Sequence, residues 1–356
     1  MKTRTKWLLA ACTALLLLAC GLLIRLHILK GTLPAQQAAE RWQGESGQSF
    51  SQVSCFVPVD EPVGLKDIYT FRYAMLDELR KAALDADESQ WRDAWSAVGR
   101  IHVSGGRMAV DASCIAVGGD FFFFHPLRLV SGSYIGEKDL MKDLVLLDED
   151  LAWQLFGGTA LQGMDLEIGG KPFVVGGVIE REQDAASRMA YTAGRGLFMS
   201  YEAYAELIEK ENAITCYEAV MAEPVKGFAA RVAGEHFKLG RGEVLTNTGR
   251  FSVGRLLGLL KTADSRSMQS MGMIYPYWEN AARVVEDRCM RLLLGALLAL
   301  ALPAFTAAVV LIRLLWRGKE ELEDSLLPRA KDGIAEAVRK VQRRSWEKKQ
   351  RKQNGL

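Results

Sequence analysis

Two stretches of this chain carry no charged residue: Trp7 to Ile24 and Leu292 to Ile312. A transmembrane helix needs about 20 consecutive apolar residues, with about 17 as a lower limit. The second stretch exceeds that. The first is near the limit, and Leu26, Ile28 and Leu29 extend its apolar character past Arg25. Both are expected to span a membrane. Pro303 lies inside the second, where it frees a backbone carbonyl and predicts a kink.

Charge then suggests an orientation. Residues 1–30 hold five Lys/Arg and no acid, and residues 313–356 hold thirteen against seven acids. The region between holds 27 basic and 36 acidic residues. Basic flanks stay on the cytoplasmic side. Both termini are therefore expected in the cytoplasm, with a large acidic domain outside; Arg25 and Lys30 on the outer flank argue weakly the other way. "LLAC" at Leu17–Cys20 resembles a lipoprotein cleavage box, but "GLLIRLHIL" follows where a polar tether is expected. An uncleaved helix is expected over a lipid-modified Cys20.

Cys55, Cys114, Cys216 and Cys289 fall outside the first span. Four cysteines allow three pairings that sequence cannot separate. Unpaired core thiols are expected, since a region this long buries a core without staples.

The expected fold class is α+β: an extracytoplasmic mixed α/β domain with repeated strand–helix and β-hairpin units, flanked by two transmembrane helices. The expected division is 1–30 cytoplasmic N-terminus and first helix, 31–48 linker or short juxtamembrane helix, 49–276 core domain, 277–315 stalk continuous with the second helix, and 316–356 basic cytoplasmic tail. Leu65, Ile68, Met75, Leu76, Leu79 and Ala83 recur at helical spacing. Gly105-Gly106 and Gly169-Gly170 each join two alternating runs, as hairpin turns do. No breaker separates Tyr277 from Pro303. A helix over 277–312 would be about 54 Å long, well beyond the ~30 Å hydrocarbon core.

"LDEDLAWQLFGG" at 147–158 sets three acids beside a double glycine. A catalytic loop could look like this, but so does a short helix with its caps. Asp148 suits the N-cap, Glu149 and Asp150 the positive end of the helix dipole, and Gly157 the left-handed stop. Each acid has a structural job. Elsewhere, no GxSxG, SxxK or P-loop context exists, and the four histidines lack metal-ligand spacing. No catalytic residue, cofactor or metal is expected, and the chain is not read as an enzyme.

Residues 125–182, "HPLRLVSGSYIGEKDLMKDLVLLDEDLAWQLFGGTALQGMDLEIGGKPFVVGGVIERE", resemble the MacB-like periplasmic core domain of ABC transporter permeases (MacB/FtsX type). The resemblance rests on Gly132 followed by Glu137 and Asp139, then Val145 to Gly157 with Asp148, Ala152, Leu155, Phe156 and Gly157. Gly163 opens the next strand, and Phe173, Val175, Gly176 and Val178 follow, with Gly177 as an extra glycine. It implies one helix, a large outer domain, then a helix continuing down as a stalk. It also implies a separate cytoplasmic ABC-type ATPase, with a further permease subunit or a second copy of the chain as other partners. Family members add two more membrane helices after the second, so the resemblance is to a reduced form.

Two segments are candidate contact surfaces. Phe121, Phe122, Phe123 and Phe124 read first as core, and as a lipid or partner contact if exposed. In the tail, Ile334, Val338 and Val341 form one helical stripe, with Arg343, Arg344 and Trp346 beyond. That pattern fits a solvated charged helix, a helix on anionic membrane lipid, or one docked on an ATPase. Nucleic acid is not expected, Trp346 being the tail's only aromatic beyond the membrane flank. Two functions stay open: a permease or accessory subunit coupling a cytoplasmic ATPase to an extracytoplasmic event, and a standalone membrane-anchored binding or scaffold protein.

Overall fold

The structure is a computed structural model describing residues 3–45, 47–84, 89–106, 108–191, 196–262, 269–270 and 272–353, with backbone alone at 5, 269–270, 318, 320–332 and 348–353. The chain divides into two units, Ile24–Leu293 and a second made of Met1–Leu23 with Leu294–Leu356.

The first unit is a mixed α/β domain. After the end of α1 (Thr3–Lys30) come a 3-10 turn at Pro34–Gln36, α2 (Ala38–Gln43), β1 (Phe50–Phe56), β2 (Val63–Gly64) and α3 (Leu65–Lys81). The hairpin of β3 (Trp91–Gly105) and β4 (Met108–Gly119) leads to α4 (Phe121–Phe124), β5 (Arg128–Gly132), β6 (Leu144–Asp148) and α5 (Glu149–Phe156). A second hairpin, β7 (Asp165–Ile168) and β8 (Lys171–Glu180), precedes α6 (Ala185–Ala190), β9 (Gly196–Ser200) and α7 (Tyr201–Leu207). Then follow β10 (Asn212–Ile214), β11 (Cys216–Ala222), α8 (Phe228–His236), β12 (Glu243–Thr246), α9 (Val253–Gly258), the short strands β13 (Gln269–Ser270) and β14 (Met273–Ile274), and α10 (Tyr277–Gln353).

Ten strands share one sheet in the order β12-β1-β11-β3-β4-β9-β6-β8-β5. β7 pairs with both β3 and β8, so the ladders β3-β4-β9-β6-β8-β7 run in a closed circuit. Closure removes free edges from that part of the sheet. Gly169 and Gly170 turn the β7–β8 hairpin with φ of 56° and 81°, the pair of positive angles a two-residue turn demands. In the other hairpin the strand keeps Gly105, and only Gly106 of the glycine pair lies in the turn; its neighbour Arg107 is outside the described residues.

Helix α5 forms as its caps dictate. Asp148 Oδ1 accepts from Leu151 N at 2.7 Å, and Gly157 ends the helix at φ 75°. The same carboxylate accepts from the Gly196 amide and from Arg181, whose Nε lies 2.7 Å away. One side chain thus ties a helix start, a strand start and the end of β8 together. Ala152, Leu155, Phe173, Val175 and Val178 are buried and Phe156 half-buried. A Cβ on Gly132 (φ 80°) would meet Gly176 O at 2.1 Å, so only glycine lets β5 approach β8 there. Of the pair 176–177, Gly177 is the sterically required residue: its Cβ would lie 2.6 Å from Ser131 O, whereas one on Gly176 meets ordinary contacts at 3.6 Å. Gly163, at φ 83°, serves its turn in open space.

Two expectations change. Residues 31–48 are not a free linker. Gln52 donates to Ala35 O at 2.8 Å and accepts from Ala38 N at 2.9 Å, and Leu33, Ala38 and Ala39 are buried. The buried stripe of α3 is Ile68, Phe71, Met75 and Leu79; Leu76 is half-buried, and Ala83 lies past the helix end at φ 59°. Phe121 and Phe124 are core residues, the first reading of that run, while Phe122 and Phe123 are half-buried. The cause is α2: Arg41 donates to the carbonyls of Phe123 (2.6 Å) and Phe124 (3.2 Å), and Trp42 packs edge-on against Phe123.

In the second unit the two helices lie side by side. Cys12 Sγ is 3.5 Å from Thr306 Oγ1, and a Cβ on Gly295 would come within 3.3 Å of Leu22. Small residues permit such approach between membrane helices. Leu9, Leu17, Leu23, Leu298, Phe305 and Ile312 all point outward, so these helices need an apolar solvent. Lys6–Lys30 and Tyr277–Arg317 are long and apolar enough to cross a membrane. Helix α10 continues through Pro303 without a break.

Asp148→Ala removes the cap and strands the largely buried Arg181, and should cost about 3 kcal/mol. Asp184→Ala, which removes only the cap of α6, should cost about 1 kcal/mol. Thermal unfolding of the two variants checks the ranking.

Candidate functional site

The first turns of α10 belong to the folded domain, and one arginine holds them there. The turn after β12 is pinned to β1, with Asn247 N donating to Gln52 O (2.8 Å) and Gln52 N to Thr248 Oγ1 (2.8 Å). Arg250 N closes the turn on Asn247 O at 3.0 Å, which aims its side chain at α10. Glu279 and Glu286 are seven residues apart, two helical turns, and so share a face.

All five N–H donors of the Arg250 guanidinium are engaged. NH1 and NH2 reach Glu279 at 2.6 and 2.7 Å, Nε and NH2 reach Glu286 at 2.8 and 3.2 Å, and NH1 also reaches Gln36 Oε1 at 3.1 Å. Arg250 is 4% exposed, Glu279 1% and Glu286 6%. Burial opposes the charge on Arg250, yet the two carboxylates outweigh it and raise its pKa. Arg283, one turn along, donates to Glu279 at 2.8 Å and to Glu243 at 3.2 Å, and stacks 3.6 Å from the Tyr275 ring. Around this cluster Leu33, Ala186, Ala190 and Leu256 pack on Ala281, Ala282, Val285 and Cys289.

The polar contacts continue inward. Asn247 Nδ2 donates to Gln36 Oε1 at 2.9 Å, while Ser54 Oγ lies 3.1 Å from Asn247 Oδ1 and 3.3 Å from Glu218 Oε1. Glu218 Oε2 is 2.6 Å from His125 Nε2, both side chains buried. The His125 ring packs against Phe121 and against Trp278 of α10, at 4.3 and 4.4 Å. A buried polar chain therefore joins the middle of the sheet to the root of α10. This arrangement holds elements together; it offers no paired nucleophile and base. Among the described residues no group of His, Cys, Asp or Glu could hold a metal ion.

Sequence reasoning did not find this cluster. The one local signal was the helical spacing of Glu279, Arg283 and Glu286, which sets all three on one face. The tail residues Ile334, Val338, Val341, Arg344 and Trp346 are exposed on α10, as is Arg343, which pairs with Glu347 at 3.6 Å. The structure does not bring them to the cluster.

Arg250→Met leaves buried carboxylates uncompensated and should lower stability by about 3–5 kcal/mol. Arg250→Lys keeps the charge but not the fork of donors, and should fall between. Unfolding of the full chain in lipid nanodiscs reads both, and a loss below about 1 kcal/mol for Arg250→Met would contradict the assignment.

Comparison with known proteins places the chain, though not this cluster, in a family. No curated protein matches the chain. Among solved structures, the periplasmic region of MacB from Actinobacillus actinomycetemcomitans is 14% identical, with a TM-score of 0.43, covering 61% of this chain and 94% of that one. The extracellular domain of the noncanonic ABC-type transporter YknZ from Gram-positive bacteria is also 14% identical, with a TM-score of 0.38, covering 55% and 100%. The family profile of the MacB-like periplasmic core domain matches residues 42–232, from α2 into α8. The chain belongs to the MacB-like periplasmic core domain family.

Proposed function

We propose that the chain is a membrane-anchored permease or accessory subunit of an ABC-type system, coupling a cytoplasmic ATPase to an event in the extracytoplasmic domain. The observation that supports this most is the locked root of α10. The helix carrying the second apolar stretch begins inside the domain, where Arg250 clamps Glu279 and Glu286. Pulling, pushing or turning that helix must move the domain or break buried ion pairs. In this reading residues 49–276 form the outer body, 277–315 the stalk and span, and 316–356 the cytoplasmic tail. The basic ends favour both termini inside. The exposed stripe Ile334, Val338 and Val341, with Arg343, Arg344 and Trp346, is the contact for the ATPase or for anionic lipid.

The test is purification of the tagged full chain from its native membrane in mild detergent, with a chain ending at Gly318 as control. An ABC-type ATPase should accompany the first and not the second. Folded full-length protein that brings no ATPase would end the coupling reading and leave an anchored binding protein. For orientation, a cysteine at Lys138 should react with an impermeant maleimide on intact cells, and one at Ser345 only after permeabilisation. The reverse pattern would overturn the topology.

A further inference from the structure

A cavity of about 380 Å³ opens within the domain, apart from the Arg250 cluster. Its floor is the sheet, through Val98 of β3, Ile115 of β4 and Phe198 of β9. Tyr204 and Ile208 form one wall, and Ile274, Tyr277 and Asn280 another. The volume falls in the range of small-molecule sites, which are mostly apolar with a few placed polar groups. Val98 and Ile274 are 50% and 56% exposed, so apolar surface of the lining is open to a ligand.

Charge narrows the occupant. Among the described residues, three charged side chains line the cavity: Asp148, Arg181 and Lys210. Asp148 and Arg181 neutralise each other, and the Asp148 oxygens are already taken by Leu151 N, Gly196 N and Arg181. Arg181 further stacks on Tyr191, 5.1 Å from its ring centre. That leaves the Lys210 ammonium, for which no ion pair exists among the described residues. Its chain neighbours Glu209 and Glu211 do not line the cavity.

We propose that this cavity binds a small amphipathic molecule, with an apolar or aromatic body against the sheet and one anionic group at Lys210. The proposal stands apart from ATP coupling, since it needs only the folded domain. It does have a mechanical corollary. Tyr277 and Tyr191 stack at 4.1 Å and share the Glu182 carboxylate at 2.9 and 2.7 Å, so a molecule here touches the start of α10.

Isothermal titration of the full chain in lipid nanodiscs tests it, with empty nanodiscs as blank. Three water-soluble probes share one ring system: naphthalene-2-sulfonate, neutral 2-naphthalenemethanol and cationic 2-naphthylmethylammonium. The sulfonate should bind tightest, by about tenfold over the neutral probe, the worth of one charge-assisted hydrogen bond. Lys210→Glu should abolish that preference and Lys210→Arg should keep it. Val98→Trp, at a half-exposed position, should fill the cavity and weaken all three probes with the unfolding temperature unchanged. Equal affinity for the three probes would overturn the proposal. So would full binding by Val98→Trp, or heats matching the empty discs.

Discussion

The guanidinium of Arg250 is the constraint on which the arrangement of this domain depends. Removing a carboxylate or a guanidinium from water costs several kcal/mol per ion, and only near-complete hydrogen bonding repays it. Here three ions are buried together, and every donor of the arginine has a partner. Such a cluster tolerates few intermediate positions. Sliding α10 by one turn, or rotating it by a third, would strand at least one carboxylate in an apolar setting. The first turns of α10 and the sheet must therefore move as one body or separate outright. The segment before β1 enters the same bond set through Gln36, so both chain crossings into the domain meet at this point.

What could be read from the sequence was whatever physics acts over a few residues. Asp148 and Gly157 bracket a helix because capping and left-handed termination are local. Gly169-Gly170 turns a hairpin because both residues need positive φ. The spans declare themselves through length and lack of charge. The membership of the family followed from the same short motifs.

The rest depended on partners far along the chain. Arg250 lies 36 residues from Glu286, and His125 lies 93 from Glu218, so neither pair leaves a spacing to notice. The four phenylalanines read first as core, but an apolar run alone leaves a surface patch open as the alternative. Arg41 and Trp42 decided it, from a segment whose polar composition reads as a tether. Gly177 outranks Gly176 for a reason no strand pattern contains: β5 crosses against it, and the Ser131 carbonyl leaves no room for a methyl group.

The thiols of Cys55, Cys114 and Cys216 bear on how such a domain matures. Cys55 and Cys216 sit on adjacent strands, but Cys55 opposes Tyr217 and Cys216 opposes Phe56, so alternation sends the two sulfurs to opposite faces. Burial lifts the pKa of all three thiols far above the usual range, which removes the thiolate that oxidants attack. Once folded, these three thiols offer almost no thiolate to an oxidant. Their vulnerable interval is the time before the sheet closes, when each sulfur is still open to an oxidant. For this chain, redox quality control would be decided by a race between collapse and oxidation.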